Sequence, residues 1–164
     1  MLKGYIEAYY GRLFTQDERA KVINHMGKLN MDFYLYGPKE DIYHRVRWTK
    51  AYPVKEQKIL RHLISQCKKN NIRPIFAISP GLQSSKSSSN SKKNLIAKIK
   101  QAQKIGFKDF AIFFDDIEHK KNEDLAKTHL SIIDAACSKE FFNPLNEGDL
   151  PTTTISFALK VVVF

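Results

Sequence analysis

Short apolar runs alternate along the chain with longer segments in which apolar residues recur at helical spacing. The runs are rich in Ile, Phe and Tyr, a composition typical of buried strands. They cover residues 3 to 9, 31 to 37, 72 to 79 and 109 to 114. Each run is followed by a segment with a helical period. Since parallel strands need a crossover helix between them, the pattern predicts an α/β fold with a parallel sheet.

The predicted helices carry start signals and apolar stripes. Residues 15 to 18 are TQDE, a capping-box pattern that predicts the start of the first helix. The second helix is marked by apolar residues at i, i+3, i+4 and i+7, namely Leu60, Leu63, Ile64 and Cys67. Two more helices are predicted over residues 91 to 105 and 122 to 139, and a fifth apolar run covers residues 152 to 164.

The bulk composition favours one ordinary domain over residues 1 to 164, because 43% of the residues are apolar. The serine-rich residues 84 to 91 are predicted to form a mobile loop inside this domain, not a boundary. Cys67 and Cys137 show neither CxxC nor Cys/His spacing, which favours a reducing setting. With no signal peptide or apolar span recognisable, we expect a cytoplasmic protein with no membrane partner.

A net charge of +10 makes a polyanion a legitimate candidate partner. Lys93, Lys100 and Lys104 of the predicted third helix, however, follow the pattern of an ordinary solvated face opposite Leu95, Ile96 and Ile99. No interleaving of arginine with aromatic residues accompanies the charge. We therefore expect no nucleic-acid partner, and a basic polyanion-binding module ranks third among the functional hypotheses.

The carboxyl ends of the predicted strands are where an α/β fold collects its chemistry. They bring together aromatic rings, a lysine, two tight turns and a pair of carboxylates, in the segments Ala8–Gly11, Tyr36–Lys39, Ser79–Gly81 and Asp115–Asp116. Aromatic rings suit the apolar face of a sugar, and charged groups suit its hydroxyls. The strand ends therefore indicate a sugar site.

Asp115 and Asp116 follow four apolar residues directly. The pair could cap the following helix or bind a surface lysine. Its position at the end of a buried strand favours a second interpretation, because burial and mutual repulsion keep one carboxyl protonated near neutral pH. One acid and one base in the same place is what glycosidic cleavage requires.

Four motifs carry a resemblance to a known family: YIEAYYGRLFT, YLYGPKEDIYHRVRW, IFAISPG and FAIFFDDIEH. In this order and spacing they resemble the N-terminal half of the glycoside hydrolase family 84 catalytic domain, the group of O-GlcNAcases and bacterial N-acetyl-β-glucosaminidases. The resemblance covers about residues 3 to 140. It implies a (β/α)8 barrel of the TIM type, of which this chain supplies the first four βα units and part of a fifth strand.

The resemblance also implies an enzyme that removes β-linked N-acetylglucosamine from a glycan or glycoprotein without a protein nucleophile. The acetamido oxygen of the substrate would attack the anomeric carbon, a retaining mechanism that departs from the two-carboxylate scheme. By position, Asp115 would orient the acetamido nitrogen, and Asp116 would act as general acid and then as base. Lys39 matches a lysine that hydrogen-bonds sugar hydroxyls, and Tyr10 matches a pocket aromatic.

Ala8 and Gly11 complete the predicted substrate-binding set. Ala8 stands where the family has glycine; the contact there is through the backbone carbonyl, and the added methyl group crowds the pocket. No metal or cofactor is expected. From residue 152 the chain reads TTTISFALKVVVF in place of the family's later pocket residues. We therefore expect little hydrolysis from these 164 residues alone, and a catalytically dead sugar-binding remnant is the second functional hypothesis.

Three other arrangements are weaker candidates for chemistry. Glu118 and His119 beside the carboxylate pair lack the i, i+4 histidine spacing of a helical metal site. His44 and Trp48 are interpreted as packed or solvated loop residues. Ser79 lacks the GxSxG pattern of a serine hydrolase. The sequence carries no signal of oligomeric state.

Overall fold

The structure is a computed structural model that describes residues 2 to 80 and 88 to 113, with Lys127, Leu130 and Asp134 as single helical positions. Strands and helices alternate strictly through this part of the chain. In order they are β1 (Gly4–Glu7), α1 (Gln16–Lys28), β2 (Phe33–Tyr36), α2 (Val54–Lys69), β3 (Arg73–Ile78), α3 (Ser88–Ile105) and β4 (Asp109–Ile112). The four predicted strands and first three predicted helices are confirmed.

The strands form one sheet in the order β1-β2-β3-β4, and every neighbouring pair is parallel. One row of paired residues, Glu7, Tyr36, Phe76 and Phe110, crosses all four strands. The sequential order expected for the first half of a barrel is therefore confirmed for the described strands. β1 ends at Glu7, two residues before the apolar run does, so Ala8 lies beyond the strand.

Both faces of this sheet are largely apolar. One face packs against the helices, with Tyr34, Tyr36, Phe76 and Ile78 in the core. Alternation along the strands places Ile6, Leu35, Ile75 and Ala111 on the opposite face. Strands that are apolar on both faces are typical of βα barrels, whose interior is filled by side chains.

The helices follow the expected patterns. At the start of α1, the Glu18 amide donates to Thr15 Oγ1 over 3.2 Å and the Thr15 amide donates to a Glu18 carboxylate oxygen over 2.9 Å, which confirms the capping box. The apolar stripe of α2 is buried from Leu60 to Cys67, and Leu95 and Ile99 bury the inner face of α3. Within the part of the chain that the structure describes, no helix is long and apolar enough to cross a membrane.

One sequence prediction about α3 is wrong. The helix begins at Ser88, so residues 88 to 91 of the serine-rich stretch are helical rather than part of a loop. Serine and asparagine are favoured residue types near helix starts, so a serine-rich stretch can begin a helix. Most of the predicted fourth helix and all of the fifth apolar run lie outside the described residues.

A buried ion pair joins α1 to the sheet. Arg19 donates to both carboxylate oxygens of Glu7, over 3.0 and 2.7 Å, and the Tyr34 hydroxyl donates to the same carboxylate over 2.5 Å. Glu7 is 0% exposed and Arg19 is 4% exposed. Burial and the neighbouring Glu7 charge raise the pKa of Tyr34, which keeps its hydroxyl available as a donor. Each member of the cluster therefore depends on the other two.

We expect Arg19→Met to lower the free energy of unfolding by about 3 to 5 kcal/mol, because it leaves the Glu7 carboxylate buried without its cation. Arg12→Met is the matched control, since Arg12 pairs with Glu18 at the surface. That variant should unfold at nearly the wild-type denaturant concentration. Chemical denaturation measures both, and equal losses would contradict a special role for the buried pair.

Candidate functional site

Gly37 allows the end of β2 to approach its neighbours closely. Its amide donates to the Glu7 carbonyl over 3.0 Å, which continues the pairing of β1 with β2 past the strands. A methyl group added at Gly37 would lie 2.8 Å from the Ala77 methyl and 3.0 Å from the Phe113 ring. Only glycine fits there without displacing β3 or Phe113.

Lys39 lies two residues beyond this close approach. Its amide donates to the Tyr9 carbonyl over 3.3 Å, and the residue is only 7% exposed. The ammonium nitrogen lies 5.9 Å from the centre of the Phe113 ring. Phe113 is in turn held by its amide, which donates to the Ile78 carbonyl over 2.9 Å. The structure thus brings Lys39 to the end of β4.

Three more predicted site residues, Ala8, Tyr10 and Gly11, lie around the same edge of the sheet. Tyr10 is 58% exposed, and the Arg45 guanidinium lies 5.5 Å from its ring centre. Ala8 is half-buried directly after β1, and Gly11 turns the chain with a φ of 116°, a conformation that favours glycine. Asp115 and Asp116 lie outside the described residues.

His44 packs beneath this edge, so of the two loop roles predicted for it, packed or solvated, the structure shows the packed one. Its Nδ1 donates to the Ala77 carbonyl over 2.9 Å, and Nε2 lies 3.5 Å from the Ser79 hydroxyl. The ring meets Phe113 edge to face, with ring centres 6.2 Å apart. His44 therefore connects the loop after β2 with the ends of β3 and β4. Trp48, in the same loop, is also buried at 1% exposure.

Asp41 organises the β2–α2 loop, which comprises residues 37 to 53. One carboxylate oxygen accepts from the backbone amides of Tyr43 and His44, over 2.8 and 3.2 Å. The other accepts from the hydroxyls of Tyr36 and Tyr52, over 2.7 and 2.8 Å. Burial and the Asp41 charge raise the pKa of both tyrosines, so they remain donors. Asp41 was not predicted from the sequence, since an acid in a polar loop gives no burial signal.

Two residues of α3 contact the same loop. The Lys98 ammonium donates to the carbonyls of Tyr43 and Lys50, over 3.0 and 2.5 Å, and it lies 4.5 Å from the Tyr52 ring centre. Gln101 exchanges two hydrogen bonds with the backbone of Tyr52. Burial lowers the pKa of Lys98 to about 8, an effect that the Asp41 charge opposes. Lys98 was not predicted from the sequence, although it lies three residues after Leu95 on the apolar stripe.

No group of three or more His, Cys, Asp or Glu side chains that could hold a metal occurs among the residues described here. The hypothetical cluster around His119 falls outside them. Burial raises the pKa of the Cys67 thiol to about 12, so this cysteine is a packed thiol rather than a nucleophile. The chemistry that the described residues can offer is hydrogen bonding from a buried ammonium beside aromatic rings.

Consecutive parallel βα units, with a buried lysine and aromatic side chains at their carboxyl ends, are typical of a (β/α)8 barrel, whose active site lies at that end. Residues 3–155 match the sequence profile of the β-N-acetylglucosaminidase family. The chain belongs to this family, and the resemblance to glycoside hydrolase family 84 is confirmed.

The curated relatives include the Protein O-GlcNAcases of Rattus norvegicus and Mus musculus, each 37% identical over 118 residues. That alignment covers 72% of this chain, which spans only 13% of either relative. Solved structures of similar fold include CpGH84B, with 31% identity and a TM-score of 0.73 over 92% of this chain and 26% of that one.

An O-GlcNAc hydrolase variant from Thermobaculum terrenum is also similar in structure, with 30% identity and a TM-score of 0.70. The match covers 85% of this chain and 30% of that one. The predicted fold class is therefore confirmed: the described strands and helices are consecutive βα units of a TIM-type barrel.

Asp41→Asn replaces one carboxylate oxygen by an amide nitrogen, which cannot accept the two hydrogen bonds that this oxygen now accepts. We expect the variant to lower the free energy of unfolding by about 2 to 4 kcal/mol. Asp32→Asn is the matched control. The Asp32 carboxylate is exposed and accepts from the Lys3 amide, a bond that asparagine can keep. Chemical denaturation measures the free energy of unfolding of both variants. An equal decrease for Asp32→Asn would contradict the prediction that the buried network around Asp41 contributes more to stability.

Proposed function

We propose that this chain is part of an N-acetyl-β-D-glucosaminidase of the O-GlcNAcase kind, which hydrolyses β-linked N-acetylglucosamine by a substrate-assisted, retaining reaction. The observation that carries the proposal is the position of Lys39. A buried ammonium lies 5.9 Å from the ring of Phe113, and the sequence runs from Phe113 to Asp115 and Asp116 within three residues. An ammonium and two carboxylates can then address different parts of one sugar.

The connectivity of the backbone supports this grouping. Successive Cα atoms are about 3.8 Å apart, so the Cα of Asp115 is within about 7.6 Å of the Cα of Phe113. Lys39 donates to sugar hydroxyls in this proposal, while Tyr10 offers an aromatic face. The Ala8 carbonyl and Gly11 border the same space. Ordered charged donors of this kind contribute about 1.5 to 3 kcal/mol each to binding.

The reaction assigns a separate task to each carboxylate. Asp115 accepts a hydrogen bond from the acetamido N–H and turns the acetamido oxygen towards the anomeric carbon. That oxygen forms a bond to the anomeric carbon as the bond to the leaving oxygen breaks, and Asp116 gives the leaving oxygen its proton. The product of this step is an oxazoline, formed by the substrate itself, and the acetamido proton is shared between its nitrogen and Asp115 until the ring opens and the nitrogen takes it back.

Asp116 then serves as a base in the second half of the reaction. It takes a proton from water, whose oxygen attacks the anomeric carbon as the oxazoline ring opens. Two inversions at the same carbon give net retention. The substrates we propose are N-acetylglucosamine-bearing proteins or glycans, in line with the family's β-N-acetylglucosaminidase description. The cellular location we propose is the cytoplasm.

Sugar binding without turnover is the second candidate. It is favoured by the extent of the match, since the chain spans 26% and 30% of the two structural relatives. Catalysis depends on groups that are held in place around the sugar, and a partial barrel offers fewer of them. The two candidates differ in whether an aryl N-acetyl-β-glucosaminide is hydrolysed, and we expect little hydrolysis from the 164-residue chain.

We expect Lys39→Ala to weaken the binding of an N-acetylglucosamine-derived inhibitor by about 1 to 3 kcal/mol, the scale of a lost charged hydrogen bond. Lys93→Ala is the control, because Lys93 is exposed on α3 and should not affect affinity. Isothermal calorimetry measures both variants. Unchanged affinity for Lys39→Ala would remove this lysine from the site.

In a chain completed to a full barrel, Asp116→Asn should slow substrates with poor leaving groups far more than activated aryl substrates, because only the former need a donated proton. Asp115→Asn should slow both, since every substrate uses the acetamido attack. The comparison is kcat/KM for each variant on a good and a poor leaving group. Equal losses for Asp116→Asn on both substrates would contradict its role as the acid.

A further inference from the structure

We propose that Lys98 is a positioning residue that, together with Gln101, holds the β2–α2 loop in the conformation that presents Lys39. This inference rests on the proposed function, because it assigns to α3 a part in the same sugar site. Lys98 does not contact the sugar in this proposal. It acts through the backbone of the loop and through Asp41.

Lys98 and Gln101 form hydrogen bonds with both ends of the loop segment from residue 43 to residue 52. Lys98 donates to the carbonyls of Tyr43 and Lys50, over 3.0 and 2.5 Å. One helical turn further on, the Gln101 side chain accepts from the Tyr52 amide over 3.0 Å and donates to the Tyr52 carbonyl over 3.3 Å. These contacts satisfy backbone groups in a loop segment that belongs to neither a helix nor the sheet.

A short series of hydrogen bonds connects the Lys98 and Gln101 contacts with Lys39. Tyr43 and Tyr52 both donate to the Asp41 carboxylate, one through its amide and the other through its hydroxyl, each over 2.8 Å. The Asp41 amide donates to the Pro38 carbonyl over 3.1 Å, next to Lys39. A shift of Tyr43 or Tyr52 would therefore move Asp41 and the turn that carries Lys39. Hydrogen-bonded groups of this kind respond together, because each fixes the geometry of the next.

The burial of Lys98 gives this arrangement a pH dependence. The groups that face its ammonium are the Tyr43 and Lys50 carbonyls, the Tyr52 ring and the Asp41 charge. Burial lowers the pKa of Lys98 from 10.5 to about 8 while the loop is closed. If the loop opens, water reaches the ammonium and its pKa returns towards 10.5. Between these two values the open loop binds more protons, so rising pH favours the closed loop, in which the neutral Lys98 amine still has two N–H donors for the Tyr43 and Lys50 carbonyls.

The first experiment measures binding of an N-acetylglucosamine-derived oxazoline mimic by calorimetry. We expect Lys98→Met to weaken binding about 10-fold, a factor that corresponds to roughly one lost hydrogen bond. Ile105→Ala is the control, a core truncation at the far end of α3 that lowers stability without contacting Lys39. It should bind like the wild type, which separates positioning from loss of stability.

A double-mutant cycle identifies the route of the effect. If Lys98 acts through Lys39, Lys98→Met should cost no further affinity in a chain that already carries Lys39→Ala. Wild-type affinity for Lys98→Met, or losses that add in the double variant, would overturn the inference and leave the proposed function standing. A wild-type chain that fails to bind the mimic would count against the proposed function instead, and the second experiment would then decide the role of Lys98.

That second experiment follows amide hydrogen exchange in the loop, corrected for the intrinsic rate at each pH. The amides of Lys39, His44 and Arg45 are hydrogen-bonded in the closed loop and report its opening. Their protection in the wild type should rise from about pH 8 to about pH 10, and in Lys98→Met it should be lower and flat. Equal protection of these amides in the two proteins across this pH range would overturn the inference.

Discussion

The four described strands pair in parallel and in sequence order, and this pairing determines which side chains become neighbours. It brings every strand's carboxyl end to one edge, so that residues far apart in sequence become neighbours. Pairing continues past the strands where Gly37 donates to Glu7 and Phe113 donates to Ile78. Because Gly37 has no side chain, the end of β2 can approach Phe113, and Lys39 reaches the end of β4.

Two neighbouring buried polar clusters support this arrangement. The Glu7 carboxylate, Arg19 and the Tyr34 hydroxyl join the first helix to the first two strands. The Asp41 carboxylate instead lies inside the loop that carries Lys39, with Lys98 on the α3 side of it. Buried charges are costly unless they are paired and hydrogen-bonded, so both clusters fix geometry as well as contributing to stability. The first fixes the scaffold and the second fixes the loop.

The sequence predicted the alternation of elements because strand and helix periods are local properties of the chain. The capping box at Thr15 and the α2 stripe are of this kind, and both were confirmed. Lys39 was predicted from a motif, and its burial beside Phe113 could not have been, since that contact joins β2 to β4. Lys98 was missed for the same reason: a lysine on a helix is usually solvated, and its loop acceptors are 48 and 55 residues away. The roles of Asp115 and Asp116 stay predictions.

We propose that the strand ends form one site for N-acetylglucosamine, with Lys39 and the carboxylate pair on different parts of the sugar. A crystal structure of the chain with an N-acetylglucosamine-derived oxazoline mimic would show the contacts of each residue. We expect the Lys39 ammonium within hydrogen-bonding distance of a sugar hydroxyl and Asp115 in contact with the nitrogen of the acetamido group. A mimic bound at the opposite edge of the sheet, or bound at this edge without contact to Lys39, would rule out this site.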